Sequence, residues 1–200
     1  MVERLSLPAS IFINQHDDPV QERFLQDQRV PFFVRGYRLI DSGDESVQAI
    51  INEHVEDLPE TMSALLSLLP PSVVVATFAF GTEPEWLPAR PLETVRSVLR
   101  AFSTAIAEDP NLELIVMPAD QPLPQLHLAD GKVLVMTAPS SLLAPFRAAL
   151  EALRMPEVPN LATIDEFPRA MEYPSGATAK LVGELRDAIQ SMPDRFSSRN

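Results

Sequence analysis

Three histidines, a set of closely spaced carboxylates and a complete lack of cysteine bound the chemistry open to this chain. Without a thiol there is no disulfide, no thiolate nucleophile and no cysteine-ligated zinc or iron–sulfur site. His54 and Asp57 stand three residues apart, a spacing that would put both on one helix face as metal ligands. Glu53, Glu56 and Asp57 read more readily as the solvated side of an amphipathic helix. His16-Asp17-Asp18 resembles half of a metal site, but Asp18 directly precedes Pro19 and is explained as a helix N-cap. His127 alternates with Leu126 and Leu128 and reads as the outward or partly buried residue of a strand. The oxygen-rich run Asp41–Glu45 fails as a calcium loop of the EF-hand type. Its sixth and twelfth positions hold Ser46 and Asn52, where glycine and glutamate are required. No metal and no cofactor are assigned.

The chain carries no dinucleotide-binding, phosphate-loop, serine-hydrolase or zinc-protease motif. The best catalytic candidates are therefore positional. Glu83 and Glu85 lie in the loop after the most apolar strand, beside Trp86, the only tryptophan. Asp120 and the serines Ser140 and Ser141 follow two other expected strands. If those strands run parallel, Glu83, Glu85, Asp120 and Ser140 share one sheet edge, where two carboxylates act as acid and base. Otherwise the carboxylates are solvated, Trp86 covers the core edge and the serines cap a helix.

Charge is the most informative feature. The formal net charge is −12, and only two of the cations, Lys132 and Lys180, are lysines. No lysine or arginine occurs between Arg38 and Arg90, a stretch holding nine acidic residues. Read as a helix, the segment from Asp44 to Glu60 sets Glu45, Glu53, Glu56, Asp57 and Glu60 away from the apolar stripe of Val47, Ile51 and Leu58. Such a face attracts and steers a basic protein partner, or simply keeps the chain soluble. The same charge argues against nucleic acid and anionic membranes as partners.

The elements that position these groups follow from pattern. Strands are expected over Ser10–Asn14, Pro31–Ile40 (with Gly36 marking a bulge), Ser72–Phe80 and Leu112–Met117. Asp130-Gly131 predicts a hairpin with a type I′ turn. Helices are expected over 18–28, 44–69 with a break near Pro59, 92–108, 143–154 and 177–191. Met155–Tyr173 reads as an extended connection. Strand, helix and strand over 72–117 imply a βαβ unit. The fold class is α/β (or α+β), a single mixed sheet with a βαβ unit and a β-hairpin and helices packed on it. One domain over 1–200 is expected, with a frayed tail at 193–200. Scarce glycine (6) and abundant proline (20) speak against glycine-rich phosphate loops. No apolar run reaches the roughly 18 residues of a membrane span, and no basic start leads into an apolar run, so a cytoplasmic protein is expected.

The expected function is a non-enzymatic, acidic interaction module of the adaptor, inhibitor or immunity type. Its contact residues are Glu45, Glu53, Glu56, Asp57, Glu60 and Trp86. The alternatives are a small-molecule binder or hydrolase-like enzyme at the strand-end carboxylates, and a structural subunit using the aromatic strand Phe32–Tyr37.

Overall fold

Strict alternation of apolar and other residues runs through the central strands, and it decides the architecture. In the computed structural model, Leu112, Leu114 and Val116 are buried on one side, as are Leu126 and Leu128, Leu134 and Met136, Ala49 and Ile51, and Val73 and Val75. All of them join a single cluster with residues from every helix. The main sheet thus carries the described helices on one face, an α/β arrangement. The structure describes residues 5–6, 11–13, 33–41, 43, 45–163, 169–171 and 176–192. The expected helix after Asp18, the neighbouring His16 and the tail at 193–200 lie outside these residues.

In chain order the strands are β1 (Ile11–Ile13), β2 (Gly36–Asp41), β3 (Ser46–Asn52), β4 (Ser72–Ala79), β5 (Glu85–Trp86), β6 (Arg90–Pro91), β7 (Leu112–Pro118), β8 (Gln125–Leu128), β9 (Leu134–Pro139) and β10 (Arg169–Met171). The helices are α1 (Leu58–Leu66), α2 (Leu92–Ala101), α3 (Ser103–Glu108), α4 (Leu143–Ala152) and α5 (Ala177–Ser191). The main sheet has eight strands in the order β2-β3-β9-β8-β7-β4-β5, with β6 also paired to β4. β1 and β10 form a separate antiparallel pair.

Every pairing of named strands is antiparallel, so the expected βαβ unit is absent and the sheet is not mixed. The reason lies in residues 81–91. They return along β4 as β5 and β6, pairing Thr77 with Glu85 and Ser72 with Pro91. The chain therefore reaches the start of β4 before α2 begins. Helices α2 and α3 carry it back, and β7 starts where β4 ends, with Leu112 opposite Ala79. Pro84, Pro88 and Pro91 disguise the return as a loop, yet proline is tolerated on an edge strand.

Residues 44–60 do not form the expected helix. Residues 46–52 form β3, held between β2 and β9, and the helix begins only at Leu58. Val47, Ile50 and Ile51 satisfy helical spacing, but they are β-branched and two neighbouring strands complete their ladder. Pro59 stands at the start of α1, where its missing N–H costs nothing. The turn at Gly43 joins a β2–β3 hairpin.

At β2 the chain is covered. Tyr37 N–H donates to Pro156 O (3.0 Å), and Val158 N–H donates to Tyr37 O (2.7 Å). A Cβ at Gly36 would lie 2.8 Å from Val158 Cγ2, so close approach, not a bulge, explains this glycine. Tyr37 is buried edge-on to Phe146, ring centres 5.9 Å apart. The segment offered as an assembly surface is thereby occupied from within between Gly36 and Tyr37, and Phe32 lies outside the described residues.

Glu53 joins these parts. Its side chain is fully buried and accepts from Arg35 Nε (2.6 Å) and Nη2 (3.2 Å), from the His54 N–H (2.9 Å) and from Thr61 Oγ1 of α1 (2.6 Å). Arg35 in turn donates to the carbonyls of Leu153 (3.0 Å) and Arg154 (3.3 Å) after α4. Removing one partner of a buried pair strands the other charge. Glu53→Ala is expected to destabilise the fold by about 3–5 kcal/mol, read as a lower urea midpoint; a change below about 1 kcal/mol, the usual range for a surface ion pair, would contradict this account.

Candidate functional site

The sheet face turned away from the helices is where polar chemistry collects. Glu113 interrupts the apolar run of β7, and His127 stands between two leucines of β8. Alternation turns both outward, and the strand pairing brings them together. His127 Nε2 lies 2.9 Å from Glu113 Oε2. The imidazole stacks on Phe78 of β4 at 6.4 Å between ring centres and 25° between planes. Phe78 is itself the cross-strand partner of Glu113.

Behind this pair lies Lys132. The β8–β9 hairpin is present, but its turn is longer than the two-residue type I′ form. A short 3-10 segment spans Asp130–Lys132, and the positive φ values fall at Gly131 (66°) and Lys132 (67°). That backbone turns the lysine inward. It is 4% exposed, and its Nζ donates to Leu112 O at 2.9 Å. Burial pulls its ammonium pKa down to about 7, against the opposing pull of Asp109 and Glu113. Asp109, fully buried, accepts through Oδ1 from Asn111 N–H (3.0 Å) and from Thr178 Oγ1 of α5 (3.0 Å).

Asp109, Glu113 and Lys132 thus lie within electrostatic reach of one another around the start of β7, and His127 joins them through Glu113. Glu113 fixes the His127 ring, as a base and its orienting group require. Among the described residues, the hydrogen-bond partner of His127 is Glu113. Lys132 is enclosed, with its Nζ bonded to the Leu112 carbonyl. Its signal in the sequence is faint. A lone glutamate in an apolar strand and a histidine in the next one mark a paired charge, but their register is fixed only by the hairpin.

The positional candidates are separated. Because β7 runs against β4, Glu83 and Glu85 lie near one end of the sheet, while Asp120 and Ser140 lie near the other. Glu85 pairs with Arg186 of α5 (3.0 Å). Ser140 Oγ donates to Glu45 O (2.8 Å). The acid–base edge expected from parallel strands does not form.

The acidic face is likewise divided. Glu53 is interior, and His54, 6% exposed, accepts from the Ser6 N–H at Nδ1 (3.1 Å) instead of facing a metal beside Asp57. Glu56 accepts from Ser6 Oγ (2.6 Å), which lowers its carboxyl pKa. Glu56, Asp57 and Glu60 are exposed around the start of α1, whereas Glu45 is exposed at the far end of β3. Among the described residues, no group of three histidines or carboxylates is placed to hold a metal, and no helix is long and apolar enough to cross a membrane.

Two large apolar side chains stand out from this surface. Trp86 is 44% exposed and Phe80 54% exposed, and both belong to the β4–β5 hairpin. Trp86 sits opposite Ala76 on the outward face, so it does not cover the core edge.

The fold and site together define a one-sided antiparallel α/β domain with a polar cluster and an exposed aromatic hairpin on its open side. Comparison of the chain with protein-family models, with curated proteins and with solved structures gave no match.

The lysine pKa carries a sign. Lys132 is depressed in the fold relative to its ordinary value of 10.5, so between pH 7 and 10 the unfolded chain binds the extra proton and stability rises with pH. The stability of the wild type relative to Lys132→Met should increase by on the order of 2–3 kcal/mol over that window. Urea titrations of both proteins at the two pH values measure it, and a constant difference would show that the lysine stays charged.

Proposed function

We propose that this protein is a non-enzymatic interaction module for a basic protein partner, which it contacts through the β4–β5 hairpin. The observation that carries the reading is the exposure of Phe80 and Trp86 on one hairpin, with exposed Glu83 between them in sequence. Aromatic residues dominate the energetics of protein interfaces, and tryptophan does so more than most. A tryptophan and a carboxylate on one hairpin suit arginine or lysine, which they take by cation–π and ionic contact. The hairpin lies within the stretch from Arg38 to Arg90 that has no cation of its own, in a chain of net charge −12. That field draws a basic partner and repels nucleic acid.

The acidic residues at the start of α1, Glu56, Asp57 and Glu60, contribute to this field from a separate patch. Glu53 does not take part, since its charge is spent inside the fold.

Affinity capture from host lysate at low and moderate salt, followed by titration of the captured protein, tests the reading. Trp86→Ala should weaken binding about 30-fold, the usual loss for an interface hot spot. Glu83→Arg should weaken it further and flatten the salt dependence, with the unfolding midpoint unchanged in both. Equal affinity of wild type and Trp86→Ala would place the contact elsewhere and end this version of the proposal.

A further inference from the structure

On the helical side a groove of about 270 Å³ opens between α1 and the α2–α3 pair. Its floor is apolar: Leu58, Met62, Leu66, Leu99 and Ile106 line it. Its rim is not. Arg96 and Arg100 stand four residues apart on α2 and both face the groove, with Ser63, Ser103 and Glu60. Arg96 is held in place, donating from Nη1 to Glu93 Oε1 (2.8 Å) and from Nη2 to Ser63 Oγ (3.4 Å), while its Nε is buried without a hydrogen-bond partner among the described residues. Arg100 is exposed and makes no ion pair among the described residues. Two like charges at this helical spacing repel each other and gain from a shared anion.

The groove does not belong to the hairpin surface. It lies on the opposite layer, and of its residues only Glu60 also belongs to the acidic patch that adds to the field of the hairpin. An apolar cleft with a few convergent polar groups is the usual form of a small-ligand site. Its volume holds about nine groups the size of a water molecule, at roughly 30 Å³ each.

We propose that this groove binds a small monocarboxylate with an aliphatic tail, the carboxylate on Arg96 and Arg100 and the tail over Leu66, Leu99 and Ile106. Glu60 sets the limit on charge: it opposes a second negative group at the same rim. The head is therefore a single carboxylate and not a dianion.

Octanoate is the probe, titrated into the intact protein by calorimetry with octanol as the uncharged control. Octanoate is expected to bind with a Kd below about 1 mM, and octanol at least tenfold more weakly. Arg100→Gln, an exposed position that leaves the fold alone, should weaken octanoate about tenfold and leave octanol unchanged. Glu60→Gln should tighten octanoate. Ser103→Trp, which fills the groove, should abolish binding. Equal affinity for octanol and octanoate, no effect of Arg100→Gln, weaker octanoate binding in Glu60→Gln (the mark of a zwitterionic ligand), or no octanoate binding at millimolar concentration would each overturn the assignment.

Discussion

The Glu53 carboxylate is enclosed by protein, and a bare charge in that position would not survive burial. Four donors compensate it: two from Arg35, one from the His54 backbone and one from Thr61. The three donating residues belong to different parts of the fold. Arg35 leads into β2, His54 follows β3, and Thr61 lies in the first half of α1. Through Arg35 the network reaches the carbonyls that close α4. Satisfying one buried charge therefore fixes how the β2–β3 hairpin, α1 and the chain after α4 meet. Asn52 extends the same junction by donating to Ala162 O at 2.8 Å. The protein places this ionic junction beside its apolar core, where displacement of any one element exposes unpaired polar groups.

From that junction the division of labour in the rest of the molecule follows. The five described helices bury their apolar stripes against one face of the sheet. The other face carries its own small cluster, in which Val133 packs with Phe33, Ile50 and Val135. Farther along this face come the Glu113–His127 pair and the aromatic hairpin. Sheet edges invite unwanted pairing and must be managed. The β2 edge is met by the segment at Pro156–Val158, and the β4 edge by two very short strands with prolines around them. A charged cluster, an aromatic projection and an arginine-rimmed groove thus occupy three separate places.

Much of the fold was legible one element at a time. The near-continuous apolar run at Ser72–Ala79, the stripe of α2, the Asp130-Gly131 turn and the helix at 177–191 all follow from local pattern, because period and turn chemistry are properties of neighbouring residues. The segment 46–52 was not legible. Val47, Ile50 and Ile51 satisfy both helical and strand spacing, and only the ladders to β2 and β9 select between them. The candidate site suffered from the same limit. Glu83 and Asp120 both follow strands, yet strand direction decides whether strand ends are neighbours, and direction depended on a proline-rich return that reads as a loop.

The amino-acid sequence by itself determined the charge of −12, the absence of thiol chemistry, the alternation that makes one face of each central strand apolar, and the class of fold those strands and helices build. These depend on composition and short-range spacing alone. The tertiary structure decided which charges are surface and which are structure. Glu53 and Glu56 are three residues apart and look alike in sequence, but one is sealed under Arg35 and Thr61 and the other bonds Ser6 at the surface. Lys132 follows the Asp130-Gly131 turn in sequence, and only the folded hairpin buries it within reach of the Asp109 and Glu113 charges. Burial and partnership are set by residues distant along the chain, here 8, 20 and 50 positions away for Thr61, Leu112 and Ser6. No local window contains them, so the role of each charge emerges only when the sheet has closed.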